Sequence, residues 1–223
     1  MIYPNRVIPA AQEIRDILAF NSPAELLGLS QRDIPLADYQ NQIALQYLAA
    51  PVFSVDAVPS YSAFIAELKY QFNVLLSRGV QFEFTDDDPT PTNERGGISH
   101  KKFYETYADT GVLKIYRSDG SHPILDRHGI SVNTGNDIAH FETMNTIFRA
   151  VHDYLGHLAT GGSFAWDGET TAYYSHASTF TLAARRALFT ETVAQQCTYA
   201  ILGDYVDQKG IILHTANIYP TLD

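Results

Sequence analysis

The chain has 223 residues, 45% of them hydrophobic and 18% charged, with 14 Tyr and 12 Phe; a chain of this size and composition buries roughly two thirds of its unfolded surface and folds as one domain without a disulfide or metal staple. Lys plus Arg total 15 against 25 for Asp plus Glu, a net charge of -10, which is the wrong sign for neutralising phosphates and predicts no nucleic-acid partner. No apolar run approaches the roughly 18 residues of a membrane span, the N-terminal segment lacks a basic stretch followed by an apolar one, and the one cysteine, Cys197, cannot pair within the chain; the expectation is a soluble, cytoplasmic protein with no membrane partner.

In chain order, apolar spacing predicts a helix from Ile8 to Phe20, a short segment opened by Ser22-Pro23 and running to Leu29, and a helix from Leu36 to Ala50 stopped by Pro51. A stronger stripe of Phe64, Ile65, Leu68, Phe72, Leu75 and Leu76 predicts a helix from Ser60 or Ser62 to Ser77, with Gly79 ending it. Val80–Thr85 and Val112–Arg117 alternate as strands. Between them lie a turn-rich loop from Asp86 to Gly97, whose aspartates lack the spaced ligands of a calcium loop, and a helix from Ser99 to Ala108. Arg117 to Asn136 reads as a polar surface loop able to cover a site. Asn136 or Asp137 is expected to cap a long helix through Phe141, Met144, Ile147, Phe148 and Val151 toward Gly161-Gly162. After a loop at Asp167-Gly168, Thr179 to Leu202 is helical by pattern. The predicted fold is mostly α, a single helical domain with a small minor β-sheet, divided into a helical N-terminal arm (1–58), a metal-site core (59–203) and a C-terminal tail (204–223).

The run Phe148 to His157, FRAVHDYLGH, sets two imidazoles among apolar residues of one helix. Five positions apart, His152 and His157 stand about 140° around a regular α-helix, so a shared ion requires Gly156 to let the turn loosen, tighten or end. Glu191, in the apolar LFTETVAQ, is a carboxylate that needs a cation or strong donors. Arg185 and Arg186 are poorly spaced to serve it. Two neutral imidazoles and a carboxylate on one face of an ion, with other positions open, is the arrangement of non-haem iron sites. A second cluster, Asp167-Gly168-Glu169 with His176, leaves three roles open for Glu169: general base, hydrogen-bond acceptor for a ligating imidazole, or a further ligand with His176. Gln195, one turn beyond Glu191, can hydrogen-bond a ligand or substrate. His100, His122, His128, His140 and His214 default to loop or surface roles, and Cys197 to core filler.

His152-Asp153-Tyr154-Leu155-Gly156-His157 followed by Phe189-Thr190-Glu191 resembles the iron site of the pterin-dependent aromatic amino acid hydroxylases, and Ser163-Phe164-Ala165 is similar to that family as well. The resemblance covers Phe148 to Gln195 and implies His152, His157 and Glu191 as iron ligands. No pterin-binding segment, and no basic residue to hold an amino-acid carboxylate, can be placed. FRAVHDYLGH with Gly168-Glu169, His176 and Thr190-Glu191-Thr192 is also similar to a group of uncharacterised proteins of phage and bacterial genomes, over a longer stretch but with no activity attached.

The expected function is a metal-dependent enzyme with a mononuclear two-His-one-Glu centre of His152, His157 and Glu191, Fe(II)-containing and oxygenase-like, with Asp153, Glu169, His176 and Gln195 as further site residues and a small-molecule substrate. The alternatives are a zinc hydrolase with Glu169 or Asp153 as general base, a phosphohydrolase that pairs His152-Asp153 with His122 or His128 and with Asp204, and a non-enzymatic interaction protein with a structural metal. A structural site would be closed by a fourth protein ligand.

Overall fold

Most of the helices lie where the apolar spacing puts them. The computed structural model describes residues 6–21, 36–92, 99–133 and 139–213. In it α1 (Pro9–Leu18) carries its proline in the first turn, where the missing amide hydrogen breaks no bond, and buries Ala11, Ile14 and Leu18. Next, α2 (Leu36–Ala49) buries Ile43, Ala44 and Tyr47. The segment expected from Ser22 to Leu29 lies outside the described residues. Helix α3 (Val58–Ser77) begins slightly before the serines expected to open it and buries Tyr61, Phe64, Ile65, Leu68, Phe72 and Leu75. Leu76, the last residue of the expected stripe, is 37% exposed. Gly79, at φ 81°, turns the chain so that its own amide and that of Val80 return to the Leu76 and Leu75 carbonyls.

Strands β1 (Gln81–Thr85) and β2 (Val112–Tyr116) pair in parallel, in register from Gln81 with Val112 to Thr85 with Tyr116. Parallel neighbours need a crossover, which α4 (His100–Thr110) supplies, capped by the Ser99 hydroxyl on the Lys102 amide. The stretch from Arg117 to Asn136 departs from the expected surface loop. It contains β3 (Gly129–Val132), antiparallel to β4 (His140–Thr143), and it carries His122 into the core. The following helix, α5 (Met144–His152), starts at the Thr143 cap rather than at Asn136 or Asp137, which lie outside the described residues. The residues expected in the first turns of that helix include β4, whose polarity is inverted: Glu142 points inward and pairs with Arg117, while Phe141 points out. Hydrophobic periodicity reads such a strand as part of the next helix.

After α5 the chain continues into a π-helical turn, Asp153–Leu158. Asp167-Gly168, expected in a loop, lies in the first turn of α6 (Trp166–Ala177). The last helical run starts at Leu182 rather than Thr179 and passes through α7 (Leu182–Phe189), a second π-helical turn (Thr190–Ala194) and α8 (Gln195–Leu202). The fold is mostly α with two small two-stranded sheets. α3 packs along α7, and α2 along α8. Residues of the N-terminal segment (Ala11, Ile14, Ile43, Tyr47) and of the C-terminal segment (Ile211, Leu213) belong to the same hydrophobic core. Lys209 ties the two ends together, donating to the carbonyls of Tyr47, Leu48 and Ala50 at 2.9, 3.1 and 2.6 Å. Among the described residues no helix is long and apolar enough to cross a membrane.

Candidate metal centre

The π-helical turn Asp153–Leu158 solves the spacing of the two histidines. Its i→i+5 repeat returns the fifth residue to the same side, and the His152 and His157 ring centroids stand 5.2 Å apart. Gly156 sits in this turn where α6 crosses: a Cβ there would lie 3.0 Å from both the Cβ and the carbonyl oxygen of Ala172. Ala172 follows Glu169 by one turn on the same side of α6, so the close crossing carries Glu169 over the imidazoles. Its Oε2 lies 3.4 Å from His157 Nε2 and 3.7 Å from His152 Nε2. Ligand atoms of His152, His157 and Glu169 all fall within 4.8 Å of one another.

Gly168 explains why an Asp-Gly pair opens a helix here. A Cβ on it would stand 2.0 Å from the Ser163 carbonyl oxygen and 2.2 Å from the Ser163 nitrogen, so only glycine lets the first turn of α6 rest on the preceding backbone. The amides of Gly168 and Glu169 both donate to the Ala165 carbonyl at 2.9 Å.

The hydrogen bonds at the outer edges of the imidazoles select the nitrogens that face inward. His157 Nδ1 donates to the Gly162 carbonyl at 3.0 Å, which leaves Nε2 toward Glu169. The same loop is braced by the Tyr104 hydroxyl, which bonds to the His157 carbonyl. His152 Nδ1 lies 3.2 Å from Nδ1 of the fully buried His176, and His152 Nε2 is buried with no hydrogen-bond partner. A buried polar nitrogen left alone is costly, and a cation among His152 Nε2, His157 Nε2 and Glu169 Oε2 satisfies it. The donor set therefore fits a metal ion. Burial pushes the Glu169 carboxyl up, but the neighbouring His157 outweighs it and holds it below the usual carboxylate range. Burial pulls His157 down, yet the Glu169 charge beside it holds it above the usual imidazole range. Burial, reinforced by the neighbouring imidazoles, holds His176 well below that range.

Glu191 stands outside this group of ligand atoms. Its side chain is fully enclosed and finds neutral donors instead of a cation: the Tyr61 hydroxyl, His122 Nε2 at 2.9 Å and Gln195 Nε2 at 2.9 Å. His122 is neutral here because its Nδ1 accepts the backbone amides of Ile124 and Leu125 at 3.0 and 2.8 Å, so its proton sits on Nε2. His122, expected in a loop or at the surface, lies in a loop but is buried against Glu191. Arg185, as its spacing implied, does not serve Glu191: its Nε donates to the Ala177 and Phe180 carbonyls. Gln195, expected to hydrogen-bond a ligand or substrate, instead donates its amide to Glu191 one turn earlier.

A cavity of about 550 Å³ opens beside the centre, lined by Phe148, His152, Asp153, Glu169, Glu191 and Gln195 among others. Asp153 sits at its wall, with its carboxyl raised by burial. Of the partners the phosphohydrolase reading gave His152-Asp153, His128 and Asp204 are exposed and His122 has both ring nitrogens engaged, with Glu191 and with the Ile124 and Leu125 amides; His140 is exposed as well. His100 accepts the Phe164 amide at 3.0 Å, and His214 lies outside the described residues. Tyr61 and Gln71 are functional neighbours that the sequence did not single out, and His122 entered only as a partner for His152-Asp153, not for Glu191. For Gln71 a signal existed, since it is a polar residue on the apolar face of α3 and is 1% exposed. For His122, in a Gly-Ser-His-Pro segment, nothing local pointed to burial against Glu191. Comparison of the chain with protein-family models, curated proteins and solved structures finds no match.

Proposed function

We propose that the protein is a metal-dependent enzyme whose mononuclear centre is held by His152, His157 and Glu169, with Fe(II) as the metal and an oxygenase-like reaction on a small organic molecule. The observation that carries this reading is the convergence of two imidazole nitrogens and one carboxylate oxygen within 4.8 Å, with a cavity on their open side. His176 bonds to His152 rather than joining them, so the set is three-sided, whereas a structural metal needs a fourth protein ligand. An iron ion so held supplies dioxygen activation. The chain's own residues do the rest. His157 and His152 are oriented through their Nδ1 atoms, Phe148 and Phe164 flank the imidazoles and keep water from their faces, and the cavity wall receives the substrate. The motif resemblance to the pterin-dependent hydroxylases supports iron, but with Glu169 in place of the glutamate that the resemblance implies.

A second reading, a zinc hydrolase, is favoured by Asp153: a carboxyl at the cavity wall, raised by burial and so a stronger base than an exposed carboxylate, is placed to take a proton from a water molecule. Metal analysis of protein purified without added metal separates these readings. We expect stoichiometric iron in the wild type, its loss in Glu169→Ala and its retention in Glu191→Ala. Zinc instead of iron favours the hydrolase. Loss in Glu191→Ala with retention in Glu169→Ala returns the ligand set to Glu191, and no metal in the wild type overturns the proposal.

A further inference from the structure

The centre is backed by a buried polar chain that runs away from the cavity. Gln71 Nε2 lies 3.0 Å from the Thr179 carbonyl oxygen and 3.0 Å from Thr179 Oγ1. A carbonyl oxygen can only accept, so the amide nitrogen of Gln71 must face Thr179 and its Oε1 must face the other way. There Oε1 stands 3.0 Å from His176 Nε2. An amide oxygen is likewise only an acceptor, so the His176 proton is on Nε2, and Nδ1 carries the lone pair. That Nδ1 faces His152 Nδ1 at 3.2 Å, where the proton must then belong to His152. The lone pair of His152 is left on Nε2, the buried nitrogen without a partner.

We propose that Gln71, acting through His176, is a positioning residue for the metal centre: it fixes His152 as the Nδ1–H tautomer and so keeps the Nε2 lone pair turned toward the ion. Nothing in the packing alone requires this. Gln71, His176 and Thr179 are 1%, 0% and 3% exposed, and Phe148 and Phe180 lie against the His176 ring. A purely structural role in such surroundings is filled as well by an apolar side chain, whereas a defined tautomer needs a chain of donors and acceptors with a fixed sense. The Thr179 carbonyl sets that sense at the far end.

The inference rests on the metal-binding reading for its consequence but not for its first test. Proton–nitrogen correlation spectra of the imidazoles in the metal-free protein, at mildly alkaline pH, report which ring nitrogen carries hydrogen. We expect His152 as Nδ1–H and His176 as Nε2–H in the wild type, with both becoming mixtures in Gln71→Leu. Zinc affinity, measured against a competing chelator, is expected to fall about 10- to 100-fold in Gln71→Leu and in His176→Phe. In His176→Asn it should recover to within a few-fold of wild type, because Oδ1 stands where Nδ1 accepted. His152 found as Nε2–H in the wild type overturns the proposal, and that spectrum decides even where a variant fails to fold. Unchanged tautomers and affinity in Gln71→Leu, or His176→Asn as weak as His176→Phe, overturn it too. The expected tautomers in a wild type that binds no zinc uphold the relay and overturn the metal reading instead.

Discussion

Two glutamates in this molecule show how neighbours decide what a carboxylate does. Glu169 faces two imidazole nitrogens and is held below the usual carboxylate range, so it stays ionised throughout the range in which the protein is handled. His157, held above its ordinary range by that charge, competes for its own proton with any metal. A bound ion requires the neutral imidazole. Below the His157 pKa each binding event therefore expels a proton, and the apparent affinity falls about tenfold per pH unit; above it the affinity is level. Titration of zinc against a competing chelator over a pH series should show that break, and an affinity flat down to acid pH would contradict it. Glu191, by contrast, is satisfied by Tyr61, His122 and Gln195. Removing one donor leaves a buried carboxylate less satisfied, so His122→Ala should destabilise the fold by about 1–3 kcal/mol in urea unfolding while leaving metal binding in place. At this scale the sequence identified His152, His157 and Glu191 as polar residues that demand partners and left the roles of Glu169 and His176 open, but it did not say which partner each takes. Partnership depends on distances between helices that residue type does not encode.

Among the elements, the two π-helical turns carry residues singled out from sequence, His157 in one and Glu191 in the other. A turn of this kind costs regular hydrogen bonding and is found often at functional sites. The need for a distortion between His152 and His157 was legible from a spacing of five, and Gly156 marked its place. What the sequence did not show is that Ala172 lies against Gly156 at this turn. Gly168 was less legible, since Asp-Gly is ordinary turn chemistry, and nothing local says that the Ser163 backbone lies beneath it. Gly168→Ala puts a methyl into that backbone, and we expect a loss of about 2 kcal/mol or more in the urea midpoint, together with weaker zinc binding as Glu169 is displaced. A neutral outcome would mean that α6 does not rest on Ser163 as described. The inverted strand β4 eluded the sequence for a related reason: its inward residue is Glu142, paired to Arg117, and periodicity counts only apolar positions.

Across the whole molecule, one core joins the N-terminal helices, the helices that carry His152, His157 and Glu169, and the segment after α8. Ile211, 2% exposed, closes that core next to Thr190, whose hydroxyl donates to the Ile211 carbonyl at 3.1 Å. Ile211→Ala should cost about 2–4 kcal/mol and shift a single cooperative transition rather than melt the C-terminal segment by itself. Two transitions by fluorescence and circular dichroism would show that this segment is not integral. The sequence by itself determined the helical class and most helix positions and pointed to the two histidines of the candidate centre, because apolar spacing and local turn chemistry act within a few residues of chain. The tertiary structure alone decided that Glu169 rather than Glu191 meets those histidines, that His122 is a core residue, and that Gln71 backs the site. Each of these is a hydrogen bond or close approach between segments far apart in the chain, set by how the helices cross.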